Sequence, residues 1–262
     1  MSLALSPADK AKFAAARRSV DFIEDGMRVG LGTGSTAAWM VRCLGDRVRN
    51  EGLKVTGVAT SDRTAELAIS EGIKVVTLEE AGWLDLTIDG ADEFDPELNL
   101  IKGGGGAHLR EKIVATASDR MIVITDAAKE VAQLGAFPLP VEVIPFGWQA
   151  TQKLIDEVLD GMDVLGREIT RRMAGAVPLV TDEGNAILDL HLKRIGNPRQ
   201  LAMVLNQVPG VVENGLFIDI CDVVIIGHAN GRVDLRDITA GVRVQEQVDL
   251  GEDDNLFADL DD

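Results

Sequence analysis

Lys102-Gly103-Gly104-Gly105-Gly106-Ala107-His108-Leu109-Arg110-Glu111-Lys112 brings a cation, a run of glycines and a carboxylate within eleven residues. Four consecutive glycines are costly to order, but they let the main chain press against a ligand and turn several N–H groups into one space. From Ala107 to Ala115 the residues are mostly good helix formers. A glycine loop thus opens onto a helix N-terminus, where free N–H groups and the dipole favour an anion. Lys102, the loop donors and Glu111 could converge on one small anionic substrate, with Glu111 as the base. His108 adjoins the loop, and the spacing gives it no role.

Two further stretches carry polar groups at the ends of apolar runs. Gly30-Leu31-Gly32-Thr33-Gly34-Ser35-Thr36 joins a short strand, Met27 to Leu31, to a helix from about Ala37 to Arg47. It lacks the lysine of a P-loop, and its third glycine comes one place early for a dinucleotide fingerprint. What remains is a tight turn offering hydroxyls and N–H groups to a phosphate. Asp89-Gly90-Ala91-Asp92-Glu93-Phe94-Asp95 follows the apolar run Leu84 to Ile88. It does not fit a calcium loop, and no histidine near it suggests zinc. Glu93 and Asp95 read as an Asp-rich turn whose side chains bond their own backbone. Strand Met121 to Thr125 ends just before Lys129. In open α/β sheets ligands sit beyond the carboxyl ends of the strands, so these groups are expected along one edge.

The positioning elements follow from hydrophobic period and caps. Ser6-Pro7 starts a helix to about Glu24. Strands Val55 to Thr60 and Lys74 to Thr77 flank a helix from Arg63 to Glu71. This alternation predicts an α/β fold with a doubly wound, mainly parallel, Rossmann-like sheet. Near Gly135 the pattern changes to the proline-punctuated Phe137-Pro138-Leu139-Pro140-Val141-Glu142-Val143-Ile144-Pro145. Short strands and helices then follow, predicting a second, smaller α+β domain. Expected boundaries are 1–134 with 209–244 for the main catalytic domain and 135–208 for the small one. Strands Val211 to Ile218, Val223 to Ile226 and Val233 to Asp237 are expected to return to the main sheet or its border. Residues 245–262 form an acidic stretch that reads as solvated and disordered: from Glu246 to Asp262 there are eight acidic residues and no basic one.

Composition narrows the function. The 262 residues are 46% hydrophobic and 4% aromatic, with no tyrosine, so Val, Ile, Leu and Ala must build the core. A net charge of −17 disfavours nucleic acid, whose binding needs clustered Lys and Arg. No apolar run reaches the length of a membrane span, and no signal peptide is visible. Cys43 and Cys221 lie in apolar surroundings and form no metal motif. A reducing, cytoplasmic setting is expected.

In order and spacing, these motifs resemble ribose-5-phosphate isomerase of the A type, over nearly the whole chain to about Val244. Val180-Thr181-Asp182 with Gly184-Asn185, and the Phe137 to Val143 stretch, also match the family. The resemblance implies interconversion of D-ribose 5-phosphate and D-ribulose 5-phosphate, no cofactor or metal, and a homodimer or dimer of dimers. It assigns Glu111 as base. It places Thr33, Gly34, Ser35, Thr36, Asp89, Gly90, Ala91, Asp92, Lys102, Gly103, Gly104, Gly105 and Lys129 in substrate-binding segments. For the family's N-terminal phosphate lysine, Lys12 fits the spacing better than Lys10. The acidic tail departs from the pattern.

The chemistry suits these residues. Aldose–ketose isomerisation needs a base to move a proton between C2 and C1, which a partly buried glutamate with a raised pKa can do. Lys102 and the loop N–H groups are candidates to stabilise the enediolate, and Asp89 or Asp92 to handle hydroxyl protons in ring opening. Three rivals are a sugar-phosphate sensing module, which would need a DNA-binding region; an acyl-CoA transferase with a nucleophilic glutamate; and a metal-dependent isomerase built on the Asp89 to Asp95 cluster.

Overall fold

The computed structural model describes residues 5–250, and these divide into two compact units. The first comprises residues 5–90, 114–128 and 222–250; the second comprises Ala91–Ile113 and Lys129–Cys221. The boundary at Gly135 expected from composition therefore falls inside the second unit, which also takes in the glycine loop.

The first unit is built on an eight-stranded sheet. Its first strands are β1 (Arg28–Leu31), β2 (Thr56–Ala59), β3 (Lys74–Val75) and β4 (Leu86–Asp89). The order across the sheet is β3-β2-β1-β4, then Met121–Asp126, Val223–Gly227, Arg232–Asp237 and Val242–Gln247. The first six strands run parallel and the last two pair antiparallel. β4 is buried along its whole length, as expected of a parallel strand covered on both faces. The strand order reverses direction between β1 and β4, which makes their carboxyl ends a switch point.

Local chemistry sets the helices around this sheet. α1 (Pro7–Ser19) begins where the Ser6 hydroxyl accepts the Asp9 N–H, with proline in the first turn. It gives way to a 3₁₀ turn at Val20–Phe22, short of the expected Glu24. α2 (Ser35–Asn50) follows Gly34, α3 (Asp62–Ser70) is capped by Ser61, and α4 (Leu78–Ala81) starts on a Thr77/Glu80 capping box. Phe13 and Trp39 meet edge to face at 5.7 Å in the core that α1 and α2 share with Val29, Leu31 and Ile88. Strand side chains alternate faces, so Gly30 looks the other way. A Cβ there would lie 2.1 Å from the Thr87 hydroxyl and 2.7 Å from Val114, so only glycine fits beside these two side chains; Val114 belongs to α5 (His108–Thr116).

The second unit has its own core, including Leu139, Val141, Ile155, Leu188 and Leu201. A four-stranded antiparallel sheet runs Val211–Asn214, Leu139–Val143, Ala186–His191, Glu168–Arg171. α6 (Trp148–Leu159) and α7 (Pro198–Leu205) contribute Ile155, Leu159, Leu201 and Leu205 to that core. A three-stranded sheet joins Leu216–Phe217, Leu100–Ile101 and Glu93–Phe94. The stretch Val211 to Ile218 therefore lies in this unit, not at the main sheet. It pairs with Leu139–Val143 and Leu100–Ile101, a pairing that sequence periodicity cannot reveal. Val242–Gln247 is a further strand that runs across the expected boundary at 244, and Glu246 in it pairs with Arg18. The rest of the expected acidic stretch, from residue 251, lies outside the described residues.

Candidate active site

In the first unit, the switch point is made by close approach of two backbones. The Gly32 N–H donates to Ile88 O at 2.9 Å, and the Thr33 N–H to Asp89 Oδ1 at 3.1 Å. Asp89 Oδ1 also accepts the Gly90 N–H at 2.7 Å. A Cβ on Gly32 would stand 2.6 Å from the Asp89 Cα, so only glycine fits. Gly34, at φ +113°, takes a conformation that side chains rarely adopt and starts α2 with no side-chain cap. The first N–H groups of a helix have no intrahelical partner, and Ser35 at the start of α2 is exposed, which suits an anion site.

Thr33 turns its hydroxyl inward. It donates to Ser61 Oγ at 2.8 Å and lies 2.7 Å from Thr60 Oγ1. Ser61 passes the chain to Thr64, which donates to Gly32 O at 3.1 Å. This buried hydroxyl relay braces the turn. The sequence marks Thr60 and Ser61 only as a strand end, without the contact. Lys12, on α1, lies 3.6 Å from Asp9, and no bond joins it to the turn among the described residues.

In the second unit, Lys102 Nζ lies 3.2 Å from Glu111 Oε2, with side chains only 3% and 5% exposed. Glu111 stands in the first turn of α5, its N–H bonded to Ala107 O. Lys102 is fixed by its own N–H to Gly215 O at 2.9 Å, and its ammonium lies 5.4 Å from the centre of the Phe217 ring. Asp92 Oδ2 accepts the Gly104 N–H at 2.7 Å. Gly103 has φ +104°, and a Cβ there would meet the His108 ring at 2.7 Å. His108, which sequence reasoning left without a role, is the fully buried floor of the loop. Burial, with the Lys112 charge adding to it, lowers its pKa to about 3, so the ring is neutral. Lys112 donates to Glu213 at 2.9 Å and to Asn214 O at 2.6 Å, and burial lowers its pKa. Lys129 closes a 3₁₀ turn, 6.0 Å from the Phe137 ring centre.

The acid-rich stretch is dispersed rather than gathered. Asp95 bonds the Glu97 and Asn99 N–H groups, as an Asp turn does. Glu93 does not bond its own turn: it accepts the N–H groups of Gly135 and Phe137. Among the described residues no group of three His, Cys, Asp or Glu side chains is placed to hold a metal ion. The Thr181 and Asn185 motif residues both donate to Glu142 Oε1, at 2.9 Å each, and so support the fold of the small sheet.

Comparison with known proteins bears on this arrangement. The family model for ribose 5-phosphate isomerase A (phosphoriboisomerase A) matches residues 56–231. Ribose-5-phosphate isomerase A from Ruegeria sp. (strain TM1040) is 71% identical over 262 residues, 100% of both chains. That from Ruegeria pomeroyi is 72% identical over 98% of each. Among solved structures, ribose 5-phosphate isomerase A from Methanocaldococcus jannaschii superposes with a TM-score of 0.79 at 40% identity, covering 86% of this chain and 97% of its own. A D-ribose-5-phosphate isomerase in complex with phospho-erythronic acid gives 0.81 at 38% identity, covering 88% and 100%. This chain belongs to the ribose 5-phosphate isomerase A family.

Proposed function

We infer that this chain interconverts D-ribose 5-phosphate and D-ribulose 5-phosphate in the non-oxidative pentose phosphate pathway. The observation that carries the reaction type is the buried Lys102–Glu111 pair beside the glycine loop. The substrate rests on the end-to-end similarity to isomerases of that name. The complex of a solved relative with phospho-erythronic acid, a phosphorylated sugar acid, adds support.

Glu111 takes the C2 proton of the open-chain aldose. The C–H electron pair forms a C1–C2 double bond, and the carbonyl pair moves onto O1. Lys102 offsets that negative charge, and loop N–H groups other than that of Gly104, which Asp92 holds, donate to it. The Glu111 carboxyl exchanges its proton with solvent and then delivers one to C1, O1 gains a proton, and the O2 hydroxyl loses its own as the ketone forms. Electrons balance within the sugar, so no redox partner is required. Gly34, Ser35 and Thr36 hold the phosphate at the N-terminus of α2, with Lys12 and Lys129 supplying charge. Thr33 positions that turn. Asp89 and Asp92, with the Gly90-Ala91 backbone, hold sugar hydroxyls, and one of the two carboxylates serves ring opening. Phosphate binding then helps place the reacting carbons. The protein works as a homodimer or dimer of dimers in the cytoplasm, with no cofactor, metal or nucleic acid.

Running the reaction in D₂O with EDTA tests this proton path. Solvent deuterium at C1 of the ketose is expected. A C2 hydrogen carried intact to C1 through many turnovers contradicts it.

A further inference from the structure

The glycine loop is held from below by Arg172, which none of the sequence motifs includes. Arg172 follows the Glu168–Arg171 strand, and its N–H is tied to Ile187 O at 2.9 Å. One edge of its guanidinium forks onto Asp189: Nε donates to Oδ2 at 2.9 Å and Nη2 donates to Oδ1. That fork fixes the plane of the group. The remaining nitrogen, Nη1, donates to two loop carbonyls, Gly103 O at 2.6 Å and Gly104 O at 3.0 Å.

Peptide planarity converts these bonds into a statement about donors. Every peptide bond described is trans, so each N–H points opposite to the carbonyl that shares its plane. The Gly103 carbonyl shares a plane with the Gly104 N–H, which goes to Asp92. The Gly104 carbonyl shares a plane with the Gly105 N–H. Holding that carbonyl on Arg172 turns the Gly105 N–H outward, at an exposed residue, where it has no protein partner among the described residues. Arg172 and Asp92 thus fix the first plane from both sides, and Arg172 fixes the second. Glycines have no side chains with which to do this themselves.

We propose that Arg172, braced by Asp189, is a positioning residue that aims the Gly105 N–H at the substrate oxygen on which charge grows during proton transfer. The inference rests on the isomerase reading of the loop. Arg172 itself touches no substrate atom. Without it the Gly104–Gly105 peptide is free to rotate and present its carbonyl oxygen where the donor stood. Loss of one preorganised donor commonly lowers kcat by about 10²–10³-fold. The substrate's neutral oxygen gains less from that donor than the charged one does, so KM changes little.

The test compares the parent with Arg172→Met/Asp189→Leu, which replaces a paired charge by apolar side chains and so avoids a lone buried carboxylate. Ribose 5-phosphate turnover and thermal unfolding are measured, with Arg172→Lys as a second variant. A double variant that melts close to the parent, with kcat about 10²-fold lower and KM within about threefold, is the expected result. A folded double variant with parental kcat overturns the inference, as does a loss confined to KM. Should the double variant not fold, Arg172→Lys decides. It cannot reproduce the fork, so its kcat is expected to fall at least about tenfold, and parental kcat overturns the inference. An active parent with unaffected variants refutes this role alone; a parent with no turnover refutes the isomerase reading and this role with it.

Discussion

Replacing Gly32 by alanine is expected to damage both stability and turnover, through sterics alone. Gly32 is not in a positive-φ conformation, so alanine suffers no backbone strain there. Its Cβ, however, would lie 2.6 Å from the Asp89 Cα, where carbon contacts normally relax to about 3.5–4.0 Å. The obstacle is backbone, so no rotamer change relieves it, and β1 and β4 must part beyond Leu31. That movement costs about 1–3 kcal/mol for overpacking. It also stretches the Thr33 N–H bond to the Asp89 carboxylate, worth about 1.5–3 kcal/mol. A combined loss of about 2.5–6 kcal/mol lowers Tm by roughly 5–24 °C in a chain of this size. Because the same bond sets the turn that leads into α2, kcat/KM is expected to fall by about 10²-fold as well. Differential scanning calorimetry with steady-state kinetics reads both. Asp89→Ala added to Gly32→Ala does not restore Tm, because the clashing Cα remains. A Gly32→Ala protein with unchanged Tm and unchanged kcat/KM refutes the reasoning.

Further expectations follow from buried groups. His108 has a folded pKa of about 3 against about 6.5 when unfolded, so the unfolded chain binds more protons between those values. Stability from this group is complete above pH 6.5 and is lost as pH falls; His108→Asn should flatten the urea-derived stability difference between pH 7 and pH 5 by about 2 kcal/mol. Burial raises the Glu142 pKa, although Asn185 and Thr181 donate to it, so ionising this group opposes folding as pH rises out of the carboxylate range. Glu142→Gln keeps an oxygen to accept both donors and should leave a melt at pH 7 unchanged or raised; a fall of several degrees contradicts this. Burial pushes the Cys43 thiol up to about 12, so it should resist a thiol reagent at pH 8 until urea unfolds the chain. Modification of native Cys43 within seconds refutes that assignment.

The sequence disclosed those parts of the fold and site whose signals are local. Strand, glycine turn and helix at Met27 to Arg47 are written in consecutive residues, and so is the run from Lys102 to Glu111. Cross-chain relations are not. Val211–Asn214 has a strand's composition but no address, and it pairs with Leu139–Val143. Pro138 to Pro145 marks a change of pattern, yet the second unit also takes in Ala91–Ile113, because Glu93–Phe94 and Leu100–Ile101 continue to Leu216–Phe217. Val242–Gln247 was hidden by its own exposure, since its residues face mostly outward as an edge strand's do. Arg172 and Asp189 come together only across the antiparallel register of two strands. His108 differs from an incidental surface histidine by burial alone, which no spacing rule reports.

The central claim is that Glu111 is the base of a metal-free isomerisation. It is tested most directly by following ketose formation from ribose 5-phosphate in EDTA, for the native chain and for Glu111→Gln. Glutamine preserves shape and some hydrogen bonding but cannot take the C2 proton. The account predicts rapid native turnover, and a kcat in Glu111→Gln lower by about 10²–10⁴-fold with substrate binding retained. Turnover in Glu111→Gln at close to the native rate would contradict it.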